Sequence, residues 1–408
     1  MIKTQTLKGF RDFLPADAIK RQFVIEKIRG VFEQFGFDPL ETPALEYAET
    51  LLGKYGDEAD KLLYLFEDRG GRKVGMRYDQ TVPLARVSAQ YPNLPNPFKR
   101  YQIQPVWRAE NTQKGRYREF LQCDADIVGV KSYTADAEIL TLFAKCFEAL
   151  NIDYVIYINS REILFSLLKG FVQEDLWLKV LQSIDKLDKK SKEEVNEELL
   201  LKGLTQQETN DIFSGIDNAS IEDDEWLRYV TNLATNNFGL DASRIQFKPT
   251  LVRGLDYYTG LIFEAGLREG GSSLGGGGRY DKLIGQFNGI ETPAVGFALG
   301  FDRIIDILPT KQIATNTKVF IATISDDEDF NGNNPKSFTL ANELRSSNIN
   351  TELNLDMKAK LEKQLKYASN KGIPYVIIQG PNERAKNIVI LKNMQTKEQE
   401  ELAIPDVI

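Results

Sequence analysis

The sequence predicts an α+β fold, in which an antiparallel sheet flanked by helices carries a helical insertion and is followed by a C-terminal α/β module. Three observations support this prediction. Residues 98–130 alternate short apolar runs with charges, as strands of an antiparallel sheet do. Residues 170–245 are rich in charge and repeat leucine at helical spacing. Beyond residue 316, strand-like and helix-like segments alternate, which is typical of an α/β domain.

The N-terminal part of the chain contributes one helix and the first strands. Residues 16–36 predict an amphipathic helix, because apolar residues recur at helical spacing and Gly36 follows as a stop. Residues 37–42 predict an extended segment that ends at a proline. Residues 72–90 alternate in the same way as residues 98–130, so we predict strands of an antiparallel sheet there as well.

The remaining elements divide the chain into a core of residues 1–315 and a module of residues 316–408. In the core, residues 154–159 predict a strand, Ser160 is placed to cap the next helix, and another helix is expected near residue 300. The C-terminal module is of usual small-domain size. Its predicted strands are residues 319–324, 350–355, 374–379 and 388–392, and its predicted helices are residues 337–346 and 358–370.

Composition excludes several kinds of chemistry. The 408 residues contain no histidine, so there is no Ser-His-Asp triad and no His-ligated metal. The two cysteines, Cys123 and Cys146, cannot build an all-cysteine zinc site or a disulfide framework, and this fits a reducing compartment. Catalysis must therefore rest on carboxylates, Arg, Lys, Tyr, backbone amides or Mg²⁺.

Charge and hydropathy patterning limit the partners. The net charge of −8 means that any nucleic-acid contact needs a local basic patch. No run of 18 apolar residues occurs and the N-terminus has no apolar signal region, so we expect a cytoplasmic protein without a membrane span.

Residues 272–281 contain four consecutive glycines, at positions 275–278. Without a Cβ, such a backbone can approach a ligand closely. The alternative is a flexible linker, but Leu274, Tyr280 and Leu283 flank the run as packed structure would. The run matches neither GxxxxGK[ST] nor GxGxxG, so a nucleotide bound here would use another scheme.

Three further segments carry arginines that suit phosphate oxygens. Residues 106–120 predict strand, loop and strand, with three basic residues in the loop; on charge alone a solvated hairpin tip is the favoured alternative. Residues 251–260 place an arginine, a carboxylate and two phenols together, although core tyrosine pairs are common. Arg303 lies at a predicted helix start, where surface helices often carry arginine. Each signal is weak alone.

Taken together, these segments resemble the class II aminoacyl-tRNA synthetases. The helix that ends at Gly36, with the strand that ends at Pro43, is similar to the first class motif, which builds a dimer interface. Residues 108–126 resemble the second motif, and residues 294–303 resemble the third. These three motifs imply the class alone.

Two segments resemble the histidyl-tRNA synthetase family in particular, and the resemblance covers essentially the whole chain. Residues 253–260 match one signature peptide of that family, and residues 274–281 match its glycine-rich strand. Residues 8–12 look like the opening of the family's chain. By the same resemblance, residues 170–245 correspond to an inserted helical domain and the C-terminal module to an anticodon-binding domain.

The resemblance implies a homodimer that uses ATP, with Mg²⁺ accompanying it, to join L-histidine to tRNA(His). Arg108 and Arg253 are the implied catalytic residues: both contact the α-phosphate and the bound histidine, and Arg253 stabilises the transition state. Arg303 is expected to bind the γ-phosphate. Glu110 is expected near the adenine or metal end of the site, and Arg116 lies with Lys114 on a loop that contacts ATP and the acceptor end of tRNA.

The resemblance also implies a pocket for the amino acid. Its expected residues are Asp79, Gln80 and Thr81 for the ammonium group, Gln122 for the amino and carboxylate end, and Asp126, Tyr257 and Tyr258 around the imidazole. A carboxylate acceptor and a phenol would read both ring nitrogens. Asp126 occupies a position that is Glu in some relatives, which shortens its reach.

Two alternatives remain at this level. A regulatory subunit of ATP phosphoribosyltransferase has the same core, but it lacks the C-terminal module and usually loses the signature peptides. A synthetase for another amino acid, such as threonine or proline, is the second alternative, although the zinc ligands expected for threonine are absent.

Overall fold

A computed structural model describes residues 2–53, 61–112, 115–253, 257–309, 315–324, 335–356 and 358–407. The chain forms two compact units. The first contains Met1–Arg11 and Val24–Leu308, and the second contains Asp12–Phe23 and Pro309–Ile408. The change of unit at residue 309 lies a few residues before the boundary predicted at residue 316, which stays a prediction.

The bounds of the elements are as follows. The helices are α1 (Pro15–Gln34), α2 (Ala48–Leu51), α3 (Thr81–Gln90), α4 (Tyr133–Ala149), α5 (Arg161–Ser166), α6 (Trp177–Ile184), α7 (Lys192–Leu201), α8 (Gln206–Asn218), α9 (Glu225–Asn236), α10 (Gly285–Asn288), α11 (Phe301–Ile307), α12 (Pro335–Ser346), α13 (Leu361–Lys371) and α14 (Pro381–Lys386). The strands are β1 (Asp38–Pro39), β2 (Leu45–Tyr47), β3 (Leu65–Glu67), β4 (Lys73–Met76), β5 (Phe98–Trp107), β6 (Glu119–Val128), β7 (Tyr154–Ser160), β8 (Ile245–Phe247), β9 (Leu261–Leu267), β10 (Gly275–Arg279), β11 (Ala294–Gly300), β12 (Val319–Thr323), β13 (Thr351–Leu353), β14 (Tyr375–Gln379), β15 (Ile388–Asn393) and β16 (Gln399–Ala403).

The first unit is built on a sheet whose described strands run in the order β1-β5-β6-β11-β10-β9-β7-β8. The six central strands pair antiparallel, as predicted, whereas β1 and β8 join the two edges in parallel. Alternate residues of β5 and β6, such as Tyr101 and Ala125, point into the main core together with α4. The opposite face of the same two strands is polar, and this face supports the site.

The prediction of strands throughout residues 72–90 is wrong for the second half of that range. Only β4 is a strand there, and Thr81–Gln90 forms α3. Val82, Leu84 and Ala85 are buried, and they fit helical as well as alternating spacing. The Asp79 carboxylate accepts a hydrogen bond from the amide of Val82 at 3.1 Å and so satisfies one of the donors that a helix start leaves free.

Residues 170–245 are helical, as predicted, but they serve two cores. Helices α6, α7 and α8 enclose a small core that includes Leu181, Val195 and Ile212. Helix α9 packs on α4 instead, where Leu227 and Val230 belong to the main core of the sheet. Ser160 caps α5 by accepting a hydrogen bond from the amide of Ile163 at 3.2 Å, which confirms that prediction.

The second unit contains a sheet in the order β13-β12-β14-β15-β16, with parallel pairing up to β14 and antiparallel pairing beyond it. The two faces of β12 enter separate cores, with Ile321 on the α12 side and Phe320 on the α13 side. Strand β16 was not predicted, because it is short, polar and largely exposed. Helix α14 was not predicted either. No helix in the described part of the chain is long and apolar enough to cross a membrane.

Candidate active site

The glycine run forms β10, a fully buried strand between β9 and β11. A Cβ on Gly276 would lie 2.5 Å from Nη1 of Arg253, and one on Gly278 would lie 3.0 Å from the ring of Tyr258. A Cβ on Gly277 would lie 2.7 Å from the Cα of Phe297. The glycines therefore allow the strand and the side chains of the site to approach more closely than any larger residue permits.

Gly277→Ala is accordingly expected to lower the free energy of unfolding by about 3 kcal/mol, since the added methyl meets backbone that cannot move aside. Gly266→Ala is the matched control on neighbouring β9, where the added carbon would find only Tyr157, at an ordinary 3.8 Å. Urea unfolding of both variants measures the difference. Equal stability of the two variants would contradict the close packing of β10.

A cavity of about 360 Å³ opens beside β10. It is lined by predicted site residues that lie far apart in the sequence of the first unit. These are Asp79, Thr81, Arg108, Glu110, Arg116, Gln122, Asp126, Arg253, Tyr257, Tyr258 and Arg303. Lys114 lies outside the described residues.

Gln80 does not line the cavity. Its side chain is fully buried and donates hydrogen bonds to the backbone oxygens of Gln104, at 2.7 Å, and Gln122, at 3.3 Å. It therefore ties the segment before α3 to β5 and β6 from behind the cavity wall, and its predicted contact with the substrate ammonium would be indirect.

One end of the cavity is strongly cationic. Arg303 lies in the first turn of α11, and its Nη1 donates to the backbone oxygen of Ser273 at 2.7 Å. Burial and the neighbouring charges of Arg116 and Arg253 lower the pKa of Arg303. Three guanidinium groups held close enough to repel one another are suited to an anion with several charges.

Arg253 is fixed from two sides. Its Nε donates to the Glu264 carboxylate on β9, and its Nη2 donates to the Ser273 hydroxyl at 3.0 Å. Burial works against the charge of Arg253, but Glu264 and the two neighbouring phenols raise its pKa overall, so it stays a cation. Glu264 and Ser273 were not predicted, because only the pairing of β9 with β10 brings them near Arg253.

Arg108 is held by stacking and by one backbone contact. Its guanidinium lies 4.1 Å from the centroid of the Tyr78 ring and 5.1 Å from that of Phe120. Its Nε donates to the backbone oxygen of Tyr78 at 3.2 Å. The Glu110 carboxylate lies 4.0 Å from Nη1 of Arg108. The Nη atoms thus retain capacity for a ligand on the cavity side.

The N-terminal residues brace this cationic end. Arg11 pairs with Asp302 in α11 at 3.1 Å and stacks on the ring of Tyr117, 3.2 Å from its centroid. The amide of Arg118 donates to the backbone oxygen of Gly9 at 2.9 Å. Gly9 and Arg11 therefore link residues 117 and 118, just before β6, to the helix that carries Arg303.

The other end of the cavity combines carboxylates, an amide and phenols. The Oε1 atom of buried Gln122 has no hydrogen-bond partner in the described part of the chain, which makes it an acceptor available to a ligand. The rings of Tyr257 and Tyr258 lie 4.3 Å apart. Burial raises the pKa of both phenols, so they stay protonated and can donate hydrogen bonds.

Asp126 is the most constrained group at this end. The hydroxyl of Tyr280 donates to its Oδ1, and Nη2 of Arg100 lies 2.6 Å from its Oδ2. Neither partner was predicted. The sequence does hold a signal: polar residues occur at every second position of β5 (100, 102, 104) and of β6 (122, 124, 126), which is the period of one strand face.

The chain matches two families. One, described as histidyl-tRNA synthetase, matches residues 9–304, and the other, described as anticodon binding domain, matches residues 318–408.

Several known proteins are similar over the full length. The chain is 39% identical to the histidine–tRNA ligase of Rhodopirellula baltica, with 99% of this chain and 96% of that protein covered. It is 38% identical to the histidine–tRNA ligase of Cytophaga hutchinsonii, with 100% and 99% covered. The crystal structure of histidyl-tRNA synthetase from Nostoc sp. superposes with a TM-score of 0.83 at 31% identity, covering both chains completely.

Proposed function

The chain belongs to the histidyl-tRNA synthetase family, and from that premise we propose that its cavity activates L-histidine with ATP and transfers it to tRNA(His). The observation that carries the proposal is that one cavity is lined both by four arginines and by carboxylates, an amide and two phenols. Arg116 and Arg253 lie close enough to Arg303 to lower its pKa, whereas Asp79 lies close enough to Asp126 to raise the pKa of Asp126. This lining suits a triphosphate beside a small amino acid with a polar ring.

In the first step, a carboxylate oxygen of histidine attacks the α-phosphorus of ATP. A bond forms between that oxygen and phosphorus, the bond from the α-phosphorus to its bridging oxygen breaks, and pyrophosphate leaves with the electron pair. No enzyme nucleophile is needed, so the protein positions the reactants and neutralises their charge. Arg108 and Arg253 hold the carboxylate and the α-phosphate, and Arg303 binds the γ-phosphate.

In the second step, the terminal ribose hydroxyl of the tRNA attacks the acyl carbon of histidyl-adenylate. The ester bond forms, AMP leaves, and the hydroxyl proton is released to the departing phosphate or to water. The chain has no histidine to act as a base. Arg116, whose side chain is exposed between β5 and β6, would contact ATP and the acceptor end.

Recognition of histidine rests on the polar end. Asp79 and Thr81 face the ammonium group, and the free Oε1 of Gln122 accepts from it. Asp126 accepts from one ring nitrogen and Tyr258 donates to the other, with Tyr257 beside them. An analogue that lacks either ring nitrogen would leave a buried polar group unpaired, and that desolvation costs more free energy than the hydrogen bond alone contributes.

Mg²⁺ accompanies ATP in this proposal. No group of three or more Cys, Asp and Glu side chains that could hold a metal ion lies among the residues that the structure describes. Mg²⁺ bound with a nucleotide usually takes most of its ligands from phosphates and water. Glu110 lines the cavity and is placed to supply one carboxylate oxygen. The ion would neutralise charge on the leaving pyrophosphate.

The second copy in the proposed homodimer covers an exposed apolar face. Strands β2, β4 and β3 form a separate antiparallel sheet directly after the segment that resembles the first class motif. In the strand register, Tyr47 and Phe66 lie opposite Val74 on one face of this sheet. Leu45 lies on the same face. These three side chains are 54%, 48% and 44% exposed, in that order. Aromatic residues at this exposure are typical of interface cores.

The double variant Tyr47→Asp/Phe66→Asp is expected to sediment as a monomer, since two buried charges would oppose association. Analytical ultracentrifugation of wild type should give twice the chain mass. Leu201→Asp is the control, because Leu201 is 88% exposed on α7, away from this sheet. A dimeric double variant would contradict the assignment of the interface.

A cytoplasmic location is part of the proposal. Tandem domains for activation and anticodon binding serve translation, and both cysteines are free and buried. A reducing compartment keeps such thiols unpaired.

Histidine-dependent exchange of pyrophosphate into ATP tests the proposed function. Exchange with histidine and not with threonine, proline or the other amino acids supports it. Exchange with a different amino acid would reassign the specificity, and its absence with every amino acid beside an active control enzyme would favour a regulatory paralogue.

A further inference from the structure

A buried polar layer lies under the amino-acid end of the cavity, on one face of β5 and β6. In this layer Arg100 lies directly opposite Asp126 in the strand register, and Gln102 lies opposite Asp124. Arg100 is 0% exposed, and Asp124 and Asp126 are 2% and 3% exposed. Two carboxylates thus share the neighbourhood of one fully buried guanidinium group.

The guanidinium is paired with Asp126 and not with Asp124. Its Nη2 lies 2.6 Å from Oδ2 of Asp126, and its Nη1 donates to Oε1 of Gln102 at 3.4 Å. Among the described residues, Oδ1 of Asp124 has no hydrogen-bond partner, and Asp124 does not line the cavity. Arg100 favours the charged form of both carboxylates, but it forms its close ion pair with Asp126, the one of the two that lines the cavity.

Neighbouring elements fix the direction of Asp126. The hydroxyl of Tyr280 donates to its Oδ1 from the end of β10. Gly296 lies opposite Asp126 in β11, and a Cβ there would collide with the carboxylate. A carboxylate held from two sides keeps lone pairs free for one further donor, because each oxygen accepts more than one hydrogen bond.

We propose that Arg100 is a positioning residue that holds Asp126 as an oriented anion, so that the cavity reads the imidazole N–H of histidine. This inference rests on the proposed function, which places histidine in the cavity. Arg100 touches no substrate and acts through Asp126.

The chemistry depends on the charge of Asp126. An ionised carboxylate only accepts hydrogen bonds, whereas a protonated one also donates. Burial raises the pKa of Asp126, and Arg100 and the Tyr280 hydroxyl oppose that shift. Asp79 adds negative charge nearby, burial raises the pKa of neighbouring Asp124 well above its ordinary value, and the Tyr258 phenol also faces the group. Without Arg100, the carboxyl of Asp126 would therefore be protonated over more of the pH range. Its O–H would then face the imidazole N–H, and two donors cannot form a hydrogen bond with each other.

The test is the variant Arg100→Met, which replaces a long side chain by a long apolar one. We expect the Kd and KM for histidine to rise by about 10- to 100-fold, the loss that follows when a charged hydrogen-bond partner is removed. The KM for ATP should change by less than about threefold, because the arginines at the other end are untouched. Calorimetric titration with histidine and pyrophosphate exchange give these values.

Measuring the histidine Kd over a range of pH provides a result that a loss of protein stability alone would not change. The ratio of histidine Kd between variant and wild type cancels the titration of histidine itself. That ratio should fall as pH rises from 6 to 9, because Asp126 in the variant then loses its proton and accepts again (a raised pKa favours the neutral form at low pH). A ratio that is constant with pH would overturn the proposal.

Two further variants separate recognition from folding. Arg100→Met/Asp126→Asn removes both charges, so it should recover much of the stability lost in Arg100→Met, because no buried carboxylate is left unpaired. It should not recover histidine affinity, and recovery of both together would show a structural role alone and overturn the proposal. Asp124→Asn is the matched control and should keep the wild-type Kd within about threefold; a loss as large as that of Arg100→Met would also overturn it.

The same measurements distinguish this inference from the proposed function. Wild-type exchange tests the function, whereas the ratios of histidine Kd among the variants test Arg100. Exchange in wild type with no effect of Arg100→Met on histidine Kd refutes only the role of Arg100. No calorimetric binding of histidine by wild type refutes both.

Discussion

Arg253→Ala is expected to slow formation of histidyl-adenylate by about 10²- to 10³-fold, the usual effect of removing one preorganised donor from a transition state. The KM for histidine should rise by less than about tenfold. The difference arises because charge accumulates around the α-phosphorus only as the reaction proceeds. Glu264 and Ser273 already hold the Arg253 guanidinium in place beside β10, so it needs no rearrangement when that charge develops.

Single-turnover measurement of adenylate formation, with histidine binding followed separately, separates the two effects. Arg253→Lys should recover part of the rate, since it keeps the charge but loses the forked donor geometry. Arg268→Ala is the matched control, because Arg268 lies just beyond β9 in an exposed pair with Asp153, outside the cavity. Small and equal losses in rate and in histidine affinity for Arg253→Ala would contradict a transition-state role.

The fold was predictable where one face of an element is apolar and the other polar. Strands β5 and β6 alternate over ten residues each, so their existence and pairing follow from the sequence. Thr81–Gln90 did not follow, because its apolar residues fit both periods and the helix start depends on the Asp79 carboxylate. Strand β16 did not follow because it is short, polar and largely exposed and pairs with β15 alone among the described strands.

The site was predictable residue by residue only through family resemblance. Arg108, Arg253 and Arg303 are separated by up to 195 positions (303 − 108), and none carries a decisive local signal. The partners that orient them, such as Glu264 and Ser273, depend on which strands are neighbours and in what register. Arg100 depends on register in the same way, since its pairing with Asp126 exists only because β5 and β6 align those two positions.

The bracing of the cationic end by residues 8–12 illustrates the same limit. Arg11 contacts Tyr117 and Asp302, which lie far apart in sequence from it and from each other. The sequence marks this segment only by resemblance to the family's opening. The structure adds a physical reason for it, because a loop and a helix that are both proposed to contact ATP are linked through one guanidinium group.

Removal of residues 317–408 is expected to lower kcat/KM for aminoacylation of tRNA by about 100-fold or more, while histidine-dependent pyrophosphate exchange stays within about threefold of wild type. Recognition of two or three anticodon bases at about 1–3 kcal/mol each accounts for a loss of that size. Exchange needs only histidine and ATP, and every cavity-lining residue lies between positions 79 and 303. The removed residues match the anticodon binding domain and have their own core on both faces of β12.

The comparison of the two reactions within one truncated protein makes this prediction specific. Exchange serves as the internal control for folding of the core, so a loss confined to aminoacylation reports tRNA recognition alone. Raising the tRNA concentration should recover part of the rate, because anticodon recognition contributes binding energy and takes no part in the chemical step. Aminoacylation that survives truncation would contradict anticodon recognition by this unit. Equal losses in both reactions would assign residues 317–408 to support of the core instead.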